Sequence, residues 1–266
     1  MRIAIMSDIH ANPEALKKVL ADAEVSGCER FICLGDIVGY GYDPNSCIDI
    51  CRDKGIECLM GNHDAGLSGK LSLSWFSDRA RAGINRQLCE VDKERKEWLH
   101  LLPYRKREDF GAWRCGFAHG TFASPQEFNY IHDAVDARLE MSCIQSKKCD
   151  ILFVGHTHYA EAYGLDVDET MSLIDPRREG ARVININDYT ILIVNVGSVG
   201  YPRNQPYSYY CIFDTEGQKI AFRQLEFDFK GYVAQLQDKG ISIPRWLRSI
   251  IEQSKDAKKG ESPLCM

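Results

Sequence analysis

The chain has 266 residues, 44% of them apolar, and 33 Lys and Arg against 38 Asp and Glu give a formal charge of −5. That is enough apolar text for a core in one large domain or two small ones, and the acidic balance excludes an overall basic field able to hold duplex nucleic acid. The first apolar stretch, Ile3 to Met6, is too short for a secretion signal and runs straight into Asp8, and no stretch is long enough to span a bilayer.

Arg2 to Met6 reads as a buried strand, and Pro13 to Ala23, with Leu16, Val19 and Leu20 on one face, as the helix that follows. Phe31 to Leu34 is a second strand, Pro44 opens a helix through Cys51, and Glu57 to Met60 is a third strand. This alternation argues for a largely parallel sheet. Ala65 to Arg107 breaks the rhythm with polar, helix-rich text and reads as a cap-like insertion. The rhythm resumes with a strand at Trp113 to Ala118, a helix around Asp133 to Ser146 and a strand at Ile151 to Val154. From Val183 the text is β-rich: Val183 to Ile186, Thr190 to Val196, Tyr209 to Phe213 and Ile220 to Leu225, the last two joined by the turn Asp214-Thr215-Glu216-Gly217. Two short helices, Tyr232 to Gln237 and Trp246 to Gln253, precede a charged tail. The expected organisation is one domain over residues 1–228, including the helical insertion 65–107, with the C-terminal helices and tail of 229–266 packed on it.

Several apolar runs end in metal-ligand residue types. Asp8 and His10 follow the first, Asp36 the second, Asn62 and His63 the third, His119 the run at 113–118, and His156 with His158 the run at 151–154. Ligands at the ends of neighbouring strands converge on one sheet edge, where open α/β folds place their sites. Asp8 and His10 are two apart, so an extended segment points both side chains the same way, and His156 and His158 repeat the device. The donors are oxygen and imidazole with no sulfur, which suits Mn, Fe, Zn or Co better than copper(I) or a cluster. Seven ligands for two ions require sharing, and the Asp36 carboxylate is the natural bridge. Two divalent ions against Asp8 and Asp36 leave a surplus of about two positive charges, suited to a phosphate ester. A water bridging such ions deprotonates near neutral pH and serves as the nucleophile. His63 is the candidate acid for the leaving group, with Asp64 orienting its ring.

In order, the texts Asp8-Ile9-His10, Gly35-Asp36-Ile37-Val38-Gly39, Gly61-Asn62-His63-Asp64, an isolated His119 and Gly155-His156-Thr157-His158 resemble the motifs of the calcineurin-like metallophosphoesterases, closest to their compact bacterial and archaeal phosphodiesterase-like branch. The resemblance implies an α/β fold, a two-sheet β-sandwich flanked by helices. It also implies that Asp8, His10 and His158 hold one ion, that Asn62, His119 and His156 hold the other, that Asp36 bridges and that His63 assists as acid. The ions expected are two divalent metals, Mn first, with Fe, Zn, Co, Ni or Mg as alternatives. In relatives that act as Ser/Thr protein phosphatases or dinucleoside tetraphosphatases the second motif continues into Asp-Arg-Gly, whose Arg grips phosphate. Here it continues Gly39-Tyr40-Gly41, which weakens both activities and favours a phosphodiester over a monoester. Arg79, Arg81 and Asn85 in the insertion, or Arg203, are the candidates to replace that contact. Competing expectations are a nucleotide pyrophosphatase or a phosphomonoesterase or protein phosphatase within the same chemistry, and a non-catalytic binding scaffold outside it. The expected partner is a small phosphate ester, a nucleotide among them, with neither a membrane nor duplex nucleic acid.

The remaining features have plainer readings. The eleven Cys are odd in number and lack CxxC spacing, so they read as reduced thiols in a cytoplasm. Arg105-Lys106-Arg107 reads as a solvated loop because Glu108 and Asp109 follow at once. Tyr201, Tyr207, Tyr209 and Tyr210 read as packing on the late sheet, and His100 and His132 as surface or capping groups.

Overall fold

Asn12 and Asp43 each stand before a proline and accept a backbone N–H three residues on, from Ala15 and Ser46, so the first two helices begin where a cap side chain and a fixed φ coincide. The structure is a computed structural model that describes residues 1–178, 180, 182–203 and 207–250. In chain order its elements are β1 (Arg2–Met6), α1 (Pro13–Val25), β2 (Arg30–Cys33), α2 (Pro44–Asp53), β3 (Glu57–Cys58), α3 (Asn62–Leu67), a 3-10 turn (Leu73–Trp75), α4 (Asp78–Glu90), α5 (Lys93–Leu101), β4 (Arg105–Phe110), β5 (Trp113–Ala118) and α6 (Ala134–Ser146). There follow β6 (Ile151–Val154), β7 (Ala160–Leu165), β8 (Met171–Ile174), β9 (Val183–Asn185), a 3-10 turn (Ile186–Asp188), β10 (Ile191–Val196), β11 (Tyr207–Asp214), β12 (Lys219–Glu226) and α7 (Phe229–Asp238).

The strands form two six-stranded sheets, in the orders β3-β2-β1-β11-β12-β9 and β4-β5-β6-β10-β7-β8. Each sheet is mixed. The pairs among β1, β2 and β3 and among β5, β6 and β10 are parallel, and the others are antiparallel. The expectation of a largely parallel sheet therefore holds for half of each sheet only. Neighbours joined by a short turn, such as β11 and β12 through Asp214–Gly217, have to run antiparallel.

Alternation along β1 shows how the layers are built. Ile3 and Ile5 point between the sheets, toward Phe117, Phe153, Val194 and Phe213, whereas Ala4 and Met6 face the helices. Helices α1 to α5 cover the outer face of the first sheet and α6 that of the second. No described helix is long and apolar enough to cross a membrane.

Three sequence readings need correction here. Arg105-Lys106-Arg107 is no loop: it starts β4, the edge strand paired with β5. Strands β7 and β8 lie in text where no strand was expected. Tyr209 and Tyr210 do pack in the cores, but Tyr201 does not join the sheet. The first C-terminal helix lies within α7. Residues 245–250 are helical, and the rest of the second expected helix, with the tail, lies outside the described residues.

Candidate metal centre

The parallel strands decide where the polar residues meet. Asp8 and His10 follow β1, Asp36 follows β2, Asn62 follows β3, His119 follows β5, and His156 and His158 follow β6. These carboxyl ends face one edge of the sandwich, and the turns are tied across it. The backbone N–H of His156 donates to Asp8 Oδ2 at 3.0 Å, joining the end of β6 to that of β1. The loop after β10 closes the ring: Gly200 N and Ser198 Oγ both donate to the Asp8 carbonyl, at 3.0 and 2.9 Å. Such sharp turns need left-handed backbone. Asp8, His10, Asp36, His156 and His158 all have φ between 47° and 69°, a conformation costing a non-glycine residue roughly 1–3 kcal/mol.

Asp8, Asp36, His10 and His158 are each fixed at one end and free at the other. Asp8 spends Oδ2 on His156, and its Oδ1 is buried without a partner. Asp36 Oδ1 accepts the His63 backbone N–H at 2.8 Å, which leaves Oδ2 inward. His10 Nδ1 lies 3.0 Å from the Val38 carbonyl and His158 Nδ1 2.6 Å from that of Tyr201. A carbonyl accepts only, so both rings carry their proton on Nδ1 and turn a bare Nε2 lone pair into the site.

The free ends converge. His10 Nε2 and His158 Nε2 are 3.3 Å apart, with Asp8 Oδ1 3.6 Å from the first and 3.3 Å from the second. Three acceptors facing one another with no donor repel, and a cation among them removes the repulsion. The second group is His119 Nε2, which is 3.3 Å from Asp36 Oδ2 and 3.1 Å from His156 Nδ1. Burial lowers the affinity of His119 for a proton, yet the Asp36 charge more than reverses this and holds the ring up to about 9. Asp36 thus draws positive charge to this side of the pocket, while burial pushes His156 and His158 down and keeps both rings neutral. Asn62 Oδ1 is buried and unpartnered, another oxygen donor lacking a partner. Asp8, His10 and His158 form one ligating cluster and Asp36, His119 and His156 another; a third, of His10, Asp36 and His63, lies between them. The donor set fits two divalent cations.

The sequence of this edge and its geometry now meet known proteins. The family model described as a calcineurin-like phosphoesterase superfamily domain matches residues 1–218. The chain belongs to that superfamily. An uncharacterised protein of Methanocaldococcus jannaschii is 34% identical over 248 residues, covering 92% of this chain and 95% of its own. The crystal structure of a metallophosphoesterase from Sphaerobacter thermophilus matches with a TM-score of 0.74 at 31% identity, over 93% of this chain and 97% of that one. A hypothetical protein of Pyrococcus horikoshii, 18% identical, shares the fold with a TM-score of 0.70 over 94% and 96% of the two chains. Members of the superfamily hydrolyse phosphate esters with pairs of divalent metals, and the two-sheet sandwich seen here is their fold.

In this calcineurin-like phosphoesterase a cleft of about 290 Å³ opens onto the donors, lined by Asp36, Asn62, His63, His156 and His158 together with Tyr40, Trp75, Phe76, Tyr130 and Arg203. Of the expected substrate contacts only Arg203 lines it. Arg79 instead reaches the carbonyls of Ser242 and Ile243 at 3.3 and 3.2 Å, Arg81 pairs with Asp78 on the surface, and Asn85 is exposed outside the lining. The cause is helical phase: α4 turns Ala80 toward the cleft, and 79, 81 and 85 project elsewhere.

Asp64 also departs from expectation. Its carboxylate accepts the N–H groups of Asp36 at 2.8 Å, Ile37 at 3.0 Å, Val38 at 3.2 Å and Gly61 at 3.0 Å, and it does not touch the His63 ring, whose Nδ1 has no partner. Asp64 shapes the second-motif loop rather than orienting His63. Burial brings His63 down to about 3 despite Asp36, so its ring is neutral. Tyr40 and Tyr130 join the site beyond the expected residues, and Tyr201 packs on Tyr40 instead of on the late sheet. Tyr40 stacks on Tyr201 at 4.3 Å and leans on His63 at 4.6 Å, and Tyr130 stacks on His156 at 3.8 Å. Tyr40 stands where the phosphate-gripping Arg of some relatives stands, a substitution the sequence displays. Nothing in the text around Tyr130 marks it.

Proposed function

We propose that this chain is a dinuclear-metal phosphoesterase that prefers phosphodiesters to monoesters. The observation that carries the reading is a pair of donor clusters side by side, Asp8 with His10 and His158 and Asp36 with His119 and His156, adjoining where His10 Nε2 lies 3.6 Å from Asp36 Oδ2, with donors of His10, His158, Asp8 and Asn62 turned inward. Asp8, His10 and His158 would hold one ion and Asn62, His119 and His156 the other, and Asp36 would serve both. Nitrogen and oxygen donors suit Fe, Zn, Co, Ni, Mn or Mg; Mn is put first on the family resemblance alone. When bound, such a pair supplies Lewis acidity, making a water nucleophilic near neutral pH and offsetting phosphoryl charge.

The protein's own groups then set orientation. Asp64 is a third buried acid beside the two counted from sequence, but burial and the Asp36 charge push it up to about 7, so it offsets no more than one of the two surplus charges of the loaded site. Arg203 adds another. Its guanidinium is partly buried, and the nearby Tyr40, Tyr130 and Asp8 outweigh the desolvation and keep it charged. It is the one cationic side chain in the lining among the described residues; what supports a diester is Tyr40, which takes the place of the phosphate-gripping Arg of some relatives. The neutral His63 ring still carries one N–H. We assign it to the leaving oxygen as a hydrogen-bond donor; the ring becomes a proton source only after taking up a second proton, which nearby phosphoryl charge favours. Every described cysteine is free, which supports a reducing, cytoplasmic setting.

The test combines metal analysis with rates on generic mono- and diesters. Asp36→Asn is expected to lose metal and activity together, whereas His63→Ala keeps its metal and slows esters of poor leaving groups most. Wild-type rates on both ester types no higher than those of Asp36→Asn would favour the non-catalytic scaffold.

A further inference from the structure

The mouth of the cleft carries a large aromatic side chain that the metal chemistry leaves unused. Trp75 is 81% exposed although it lines the cleft beside His63, Tyr130 and Arg203. The other three tryptophans are packed: Trp98 under the first sheet, Trp113 between the sheets and Trp246 on the C-terminal cluster. Trp75 is held at the rim rather than dangling there. Its backbone N–H donates to the Ser72 carbonyl at 3.2 Å, closing the 3-10 turn. The next residue, Phe76, is 8% exposed and sets its ring edge-on to His63 at 5.3 Å. Ser77 then caps α4 through the Ala80 N–H at 3.4 Å. An indole carried on backbone held on both sides and left open to water is a surface for a flat partner.

We propose that Trp75 is a stacking platform that selects phosphoesters bearing an aromatic group, a nucleobase above all, and so determines specificity. The inference rests on the phosphoesterase reading and names its substrate class. A cationic head group is the other partner an indole accepts. The lining disfavours it, since its one carboxylate, Asp36, belongs to the metal donors and Arg203 is positive. A neutral base meets neither objection. Stacking on an aromatic side chain tolerates any base, because every base has a π face.

The full-length, Mn-loaded protein and its Trp75→Ala and Trp75→Phe variants supply the test. Indole emission is titrated with adenosine 5′-monophosphate, with ribose 5-phosphate and with phosphocholine. In parallel, KM and kcat are measured for the methyl phosphodiesters of the first two. The nucleotide is expected to quench wild-type emission and to lose that effect in both variants, while ribose 5-phosphate leaves emission unchanged. Trp75→Ala should raise KM about tenfold for the base-bearing diester alone, with kcat unchanged and KM largely restored in Trp75→Phe. Equal KM for the two diesters, or stronger quenching by phosphocholine, overturns the platform and leaves the phosphoesterase reading standing. Nucleotide-specific quenching with no turnover above Asp36→Asn does the reverse.

Discussion

Asp64 shows how a site residue can matter without touching substrate. Four backbone N–H groups occupy the acceptor positions of its carboxylate, and three of them come from the loop that carries Asp36. In Asp64→Asn one oxygen becomes an NH2 that confronts two N–H donors. The expected cost is about 3 kcal/mol, or roughly 6–12 °C in the Tm of the metal-free protein at this length. An unchanged Tm in the apo variant would show that the loop holds its shape by other means. The comparison also explains what was legible at this scale. Asp8, His10, Asp36, Asn62, His119, His156 and His158 could be picked out because few residue types can supply such donors after an apolar run. The partners of Asp64 are backbone groups of distant turns, which no side-chain pattern encodes. Tyr201 was misread for a similar reason: its carbonyl takes the His158 proton and its ring faces Tyr40, and neither relation is local in sequence.

Among the elements, α4 acts as the clamp of the second-motif loop. Gln87, fully buried, accepts the Gly39 N–H at 2.7 Å and donates to the Gly41 carbonyl at 3.2 Å, and Arg86 reaches the same carbonyl. Gly39 has φ 88°, and a Cβ there would collide with the His63 ring, so the loop needs both glycine and clamp. Gln87→Ala strands a buried N–H and a carbonyl lone pair. A loss of about 2 kcal/mol is expected, expressed as faster hydrogen exchange of the 36–41 segment with the strands still protected. Protection of that segment equal to wild type would remove the clamp from the account. The helix itself was legible only as part of a helix-rich insertion. Strand β4 was not legible at all. Its text Arg105-Lys106-Arg107-Glu108-Asp109-Phe110 has charge at every position but the last, because it is an edge strand whose side chains mostly meet water. Such charge keeps edges from pairing with other chains, and it erases the alternation from which strands are read.

For the whole molecule the decisive feature is that two sheets deliver their parallel halves to one edge, which depends on the sheets holding their relative position. The far side of that joint is tied by ions. Arg30 of β2 meets Glu57 of β3 and Glu108 of β4, and Lys106 of β4 pairs with both carboxylates. The network therefore crosses from the first sheet to the second. The hydrogen bond from Arg30, with help from Lys106, brings the Glu108 carboxyl from 4.5 down to about 2 against the effect of burial. A carboxyl depressed in the folded state adds stability that is complete above its unfolded pKa and disappears as pH falls through the folded one. Glu57 is lowered as well, with burial opposing and Lys106 and Arg30 prevailing, so it acts in the same direction. All four side chains are partly exposed, and solvent screening keeps the effect small. Wild type should accordingly lose more stability than Glu108→Gln between about pH 5 and about pH 2, by about 2 °C in Tm, and the two should run parallel above about pH 5. Melting curves across that range, repeated in high salt, decide the matter, because added salt should shrink the difference. Parallel curves throughout would mean that the apolar layer between the sheets aligns them without help from the ions.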